Sequence, residues 1–236
     1  MHTVDREMTG AEKAKPQDHR VRVAGERRER MRARLQDAIL ASCTANVDFS
    51  MPSVEDVCRT AGVSRATFYK HFDSVQDAVG TLGEVLLDEM VNSLAAMFDG
   101  DSALERITMG LQLFLMRSVT DPRWATFVSR VVQLDPDTDF ARNVAKDLKA
   151  ASDSGEISIA NADAAISMAL GSMFEAIRHL HKTGDRRREY VESLSVMILH
   201  GLGVPAERAA SLVRKKSAQI RGLAPDFADW WKDPWI

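Results

Sequence analysis

Residues Ser53 to Phe72 read S-V-E-D-V-C-R-T-A-G-V-S-R-A-T-F-Y-K-H-F, and this stretch decides the fold. Val54, Val57, Cys58 and Ala61 fall at offsets of three, four and seven, the apolar stripe of a short helix. Ser53 stands where a cap belongs, and Asp56 three residues on completes a Ser-x-x-acid pattern. Gly62 suits the following turn because glycine takes positive φ without strain. Ser64 then caps a second helix, in which Phe68 and Phe72 point one way. Arg65, Thr67, Tyr69, Lys70 and His71 are left facing elsewhere. A short helix whose exposed side carries Arg, Thr, Tyr, Lys and His has the chemistry of a DNA recognition helix.

The flanking charge agrees. The 236-residue chain has a net charge of −3, but Lys15 to Arg34 holds eight basic and three acidic residues, a local excess of +5. That excess lies immediately before the two helices, where phosphates would be, and a local patch rather than the total governs contact with nucleic acid.

The segment closely resembles the DNA-binding domain of TetR-family transcriptional regulators. The pattern runs through Val54, Val57, Ala61-Gly62-Val63-Ser64, Thr67, Phe68-Tyr69, His71-Phe72 and Ser74, and the resemblance is specific over roughly residues 27 to 78. It implies that Arg65 and Thr67 approach base edges or phosphates, while Tyr69, Lys70 and His71 fix the protein on the backbone. Ser53 and Ser64 sit at helix starts, whose free N–H groups attract phosphate, and Arg28 lies in the basic helix. Two positions depart from the family pattern. Asn46 replaces the usual Gly after the first helix, at little cost because Asn tolerates the left-handed conformation. Val75 replaces a phosphate-binding Lys at the start of the fourth helix.

Downstream the chain reads as helix after helix, so the expected fold is all-α. The divisions are a mobile basic arm (1–24), a helix-turn-helix domain (25–73), a larger helical domain (74–222) and a Trp-rich tail (223–236). The resemblance implies that the larger domain binds a ligand among its middle helices and dimerises through its last two long helices, about Asn161–Lys182 and Arg186–Gly201. Leu194, Met197, Ile198 and Leu202 form an apolar stripe there that serves equally well as monomer core. Pocket candidates are Met90, Met109, Leu113, Met116, Trp124, Phe127, Val131, Met168, Ser172 and Phe174. Methionine and aromatic residues suit an adaptable apolar pocket, and they suit a plain core as well.

Other chemistries find little footing. Glu175 and His179 are four apart, with His181 turned away and His200 remote, too few for a metal site. There is no phosphate loop, nucleophile motif or defensible carboxylate pair, so neither catalytic residues nor a cofactor is expected. Cys43 and Cys58 read as small core residues. The N-terminus lacks a signal-peptide core, and no apolar run approaches the roughly 20 residues of a membrane span, which together point to a cytoplasmic, nucleoid-associated protein. Trp230, Trp231 and Trp235 are expected to dock on the protein's own body or its dimer mate. The expected function is a homodimeric repressor, released from a palindromic operator in double-stranded DNA by a small apolar or amphipathic effector. The alternative is a DNA-binding regulator whose C-terminal domain serves only dimerisation or a protein partner.

Overall fold

The structure is a computed structural model that describes residues 16–45, 51–98, 100–131 and 138–236. Asn46 therefore lies outside the described residues. Ten helices make up the secondary structure there, with no strand among the described residues. They are α1 (Pro16–Thr44), α2 (Val54–Ala61), α3 (Arg65–Phe68), α4 (Val75–Met97), α5 (Ala103–Thr120), α6 (Pro122–Val131), α7 (Asp139–Asp153), α8 (Ala162–Thr183), α9 (Arg188–Gly201) and α10 (Ala206–Phe227).

The starts of these helices follow from local chemistry. Ser53 accepts from Asp56 N while the Asp56 side chain accepts from Ser53 N, a complete capping box; Ser102 and Glu105 repeat it at α5. Ser64, Ser74, Thr138 and Asn161 cap α3, α4, α7 and α8 in the same single-bond manner. Gly62 ends α2 at φ 62°, and its amide donates to the carbonyls of Arg59 and Cys58. Only glycine holds that left-handed conformation without steric cost.

Packing explains the rest. In the N-terminal domain, Leu35, Ile39, Cys43, Val57, Phe68 and Phe72 close a small core between α1, α2 and α3. Burial pushes the Cys43 thiol up to about 11 and raises that of Cys58 as well, which leaves both as inert thiols. Val75, Ala78, Val79 and Leu82 at the start of α4 continue this core into the larger domain. There α5 is central: it packs on α4, α6, α7, α8, α9 and α10. A helix surrounded by others must be apolar nearly all round, and α5 buries most of its residues, Leu113, Phe114, Leu115 and Met116 among them.

Two boundaries differ from expectation. Helix α1 already begins at Pro16, so residues 16–24 belong to a helix rather than to an arm. Proline is welcome at the first helical position, where its missing N–H is not needed. Helix α10 runs through Pro225 to Phe227, because a proline in the last turn gives up only one bond. Beyond it, the tail docks as expected. Trp230, Trp231 and Trp235 are partly buried against the core, and Trp235 Nε1 donates to the Arg186 carbonyl at 3.1 Å.

Candidate nucleic-acid interface and cavity

The face of α3 that points away from the core is held rigid from below by Phe68 and from one end by Ser64. The Ser64 hydroxyl accepts from Thr67 N at 3.1 Å and lies 3.0 Å from the Thr67 hydroxyl. Thr67 is thus half-buried and engaged in the cap, and Ser53 is likewise engaged with Asp56 through a 2.7 Å bond. Arg65, Tyr69 and Lys70 are exposed, Tyr69 to 49%. Arg65 Nη1 donates to Glu55 Oε1 at 2.7 Å, which ties α3 to α2. Contact with Tyr69, and then the Glu55 carboxylate, hold the guanidinium pKa above its ordinary value. Nothing in the local pattern signalled Glu55, which lies ten residues from Arg65.

His71 sits where α1 meets the end of α3. Burial, and then the charges of Arg28, Arg32 and Lys70, push its pKa below the usual imidazole value. Arg32 also lies over the Phe72 ring at 5.3 Å. Arg28, Arg32 and Lys70 have no carboxylate partner among the described residues. Three cations and an imidazole therefore gather beside α3 without compensation. Val75 is 6% exposed and belongs to the core, so its side chain offers the backbone of DNA nothing.

In the larger domain a cavity of about 440 Å³ opens between α4, α5, α7 and α8, with Ile198 of α9 at its end. Leu94, Phe98, Ile107, Leu111, Phe114 and Met173 supply much of its apolar wall. Its polar residues are Arg106 of α5 with Asn143, Lys146 and Asp147 of α7. None of the nine expected residues whose side chains are described lines it. Met90, Met109, Leu113, Met116, Trp124 and Phe127 are fully buried and fill the core. Phe174 is buried too, while Met168 and Ser172 are half-buried on α8 beside the residues that do line the cavity, Ala169, Leu170 and Met173. The side chain of Val131 lies outside the described residues. Helical periodicity finds inward-facing residues; it does not tell which inward face is left unfilled.

The apolar stripe of α9 is divided in the same way. Ile198 and Leu202 are buried within the chain, whereas Met197 is 68% exposed. The histidines of α8 are separately engaged. His181 shares a 3.0 Å hydrogen bond with Thr126, His179 stacks on Tyr190 with centroids 5.0 Å apart, and Glu175 pairs with Arg178. No group of three metal-ligating side chains gathers among the described residues.

Residues 102–215 match the family model of the tetracyclin repressor-like C-terminal domain, the part of the chain where the sequence carried no specific motif. Over these residues the chain is similar to TetR-family repressors. The HTH-type transcriptional regulator AlkX of Mycobacterium tuberculosis (strain ATCC 25618 / H37Rv) is 30% identical over 112 residues, which cover 45% of this chain and 53% of that protein. The match thus spans about half the length of that relative. A TetR-family transcription regulator from Shewanella sp. PV-4 superposes with a TM-score of 0.60 at 15% identity, over 73% of this chain and 97% of that one. RolR, solved in complex with resorcinol, superposes with a TM-score of 0.55 at 16% identity, over 80% and 95% of the two chains. These two likenesses establish the shared all-α fold. The relatives are regulators by name, not enzymes.

Proposed function

We propose that this TetR-like chain is a homodimeric, sequence-specific DNA-binding repressor, released from a palindromic operator by a small apolar or amphipathic effector. The observation that carries the proposal is the basic cluster of Arg28, Arg32, Lys70 and His71 beside the exposed Arg65 and Tyr69 of α3. Charges without protein partners are met by phosphate oxygens, while Arg65 has the donor geometry to read a guanine edge once it leaves Glu55. Ser53, Ser64 and Thr67 shape the two helix starts that face the backbone. Release from counterions supplies most of the affinity, and α3 supplies the sequence preference.

A dimer follows from the need for two recognition helices about 34–36 Å apart. The exposed surface of α8 and α9 supports it. Met197 stands in solvent, and Gly171 leaves open space where a Cβ would project, so another helix can approach closely. Helix α4 would carry the signal. It runs about 34 Å at 1.5 Å per residue, from Val75 beside α3 to Val91, Leu94 and Ala95 on the cavity wall. An effector that fits the cavity better in the conformation unable to span two grooves would shift the population and free the operator.

The second reading, a C-terminal domain that only dimerises or meets a protein partner, is disfavoured by the cavity itself. Its volume of about 440 Å³ falls among those of small-molecule sites, roughly 300–1,000 Å³, and the fold relative RolR was solved with resorcinol bound. No described helix is long and apolar enough to cross a membrane, and a repressor of this kind works at the nucleoid. Footprinting on the DNA that flanks its own gene tests the proposal. Two protected half-sites related by a dyad are expected. Protection without dyad symmetry, or none at all, contradicts it.

A further inference from the structure

We infer that the effector is an amphipathic monoanion, its carboxylate-class head held by Arg106 and Lys146 and its apolar body lying among Leu94, Leu111, Phe114, Phe140 and Met173. The inference rests on the effector reading of the cavity and adds the chemistry of the ligand. The cavity's polar and charged lining comes from one turn of α5 and one stretch of α7, Arg106 with Asn143, Lys146 and Asp147; the remaining lining residues are apolar or glycine. A ligand matched to it is polar at one end only.

The charges on that edge do not cancel. Arg106 donates to Asp147 Oδ1 through Nε at 3.0 Å and Nη2 at 2.5 Å, so the Asp147 charge is spent on a guanidinium. Lys146 is exposed and has no carboxylate partner among the described residues. Among the lining residues one positive charge is left over, since Asp101 and Glu156, whose charges also reach Arg106, pair with Lys216 and Arg208. Arg106 also retains donors. It gives one further bond, from Nη1 to the Asp101 carbonyl at 2.9 Å, and a guanidinium has five N–H groups. One N–H remains on each terminal nitrogen, available to a carboxylate. The Arg106 side chain is only 27% exposed, so a bond made there is poorly screened. A cationic head would meet Lys146 as a like charge, and an alcohol would engage at most one of these donors.

The same side chain connects the head group to helix α4. The Arg106 guanidinium lies 5.9 Å from the centre of the Phe98 ring, and Phe98 caps α4. An anion that repositions Arg106 therefore acts on the end of the helix whose other end adjoins α3. This gives the ligand a contact that differs between two positions of α4, which a population shift requires.

The test uses the intact protein and matched series of octanoate, decanoate and dodecanoate, the corresponding alcohols, and the corresponding alkyltrimethylammonium ions, titrated calorimetrically below their aggregation limits. The inference predicts that within one chain length the carboxylate binds about tenfold or more tighter than the alcohol, and that the ammonium ion binds weakest. Lys146→Glu, at an exposed position, should abolish the carboxylate preference over the alcohol. Equal affinities for acid and alcohol, unmoved by Lys146→Glu, would overturn the head-group assignment while the effector reading stood. Heat from none of the three series would contradict the effector reading itself.

Discussion

The Arg117 guanidinium of α5 lies 4.3 Å from the centre of the Trp230 ring and bonds Glu89 of α4 at 2.6 Å. Trp124 covers it at 5.0 Å. A cation buried between two indoles, with one carboxylate partner, joins the C-terminal segment to the helix that leads to the DNA-binding domain. Arg117 Nε, Trp124 Nε1 and Trp230 Nε1 have no hydrogen-bond partner among the described residues, so the Arg117–Trp230 contact is held by cation–π attraction and apolar area rather than by directed bonds.

Trp230→Ala should therefore cost about 2 kcal/mol, the sum of lost ring burial and a desolvated cation–π contact. That corresponds to a melting temperature roughly 4–8 °C lower for a chain of this size. Trp230→Phe should cost less than about 1 kcal/mol, since the indole N–H makes no bond to lose. Thermal unfolding of the three proteins checks both.

Glu105 gives a pH signature. Lys215 first, with the Ser102 amide and Lys216, holds its carboxyl down from 4.5 to about 2. A depressed carboxylate contributes stability that is complete above about 4.5 and lost as pH falls through about 2. Glu105→Gln should be less stable than the wild type at pH 7, and the gap should close toward pH 2. Urea midpoints across that range would show a constant gap if Glu105 were unpaired.

The helix starts were legible in the sequence because a cap is a local pattern: Ser53 with Asp56, and Ser102 with Glu105, lie three residues apart. The two-helix unit was legible for the same reason, since α2, the Gly62 turn and α3 lie within the 20 residues Ser53–Phe72. What depends on distant parts of the chain was not. Arg117 and Lys216 look like surface residues of amphipathic helices, yet Lys216 is 1% exposed and pairs with Asp101 from 115 residues away. The cavity is what neighbouring helices fail to fill, and no single helix encodes that. The boundary expected at 222 falls short of the end of α10 at Phe227, because the sequence does not show that one lost bond at Pro225 in a last turn is tolerated.

Gly62→Ala should destabilise the DNA-binding domain by about 1–2 kcal/mol. The residue would be forced to φ 62°, and its Cβ would lie 2.9 Å from Arg34 Nη2. Hydrogen exchange of α2 and α3 amides should accelerate while α5 stays protected. Uniform acceleration across both domains would contradict a local cost.

Lys70→Ala and Arg28→Ala should each weaken DNA binding and lower the slope of log affinity against log salt by about one unit, the share of a single phosphate. His71, with its pKa lowered by burial and by Arg28, Arg32 and Lys70, is neutral in the free protein at pH 7. A phosphate beside it favours the charged ring, so affinity should rise as pH falls toward the ordinary imidazole range, and His71→Gln should flatten that rise. Fluorescence anisotropy across salt and pH reads each effect.

Selection of random duplex DNA by the purified protein at near-physiological salt tests the central claim most directly. The account predicts enrichment of a palindrome whose half-sites lie one helical turn apart, and loss of that enrichment in Arg65→Ala at unchanged stability. A folded protein that enriches no motif, or one that enriches the same motif without Arg65, would contradict it.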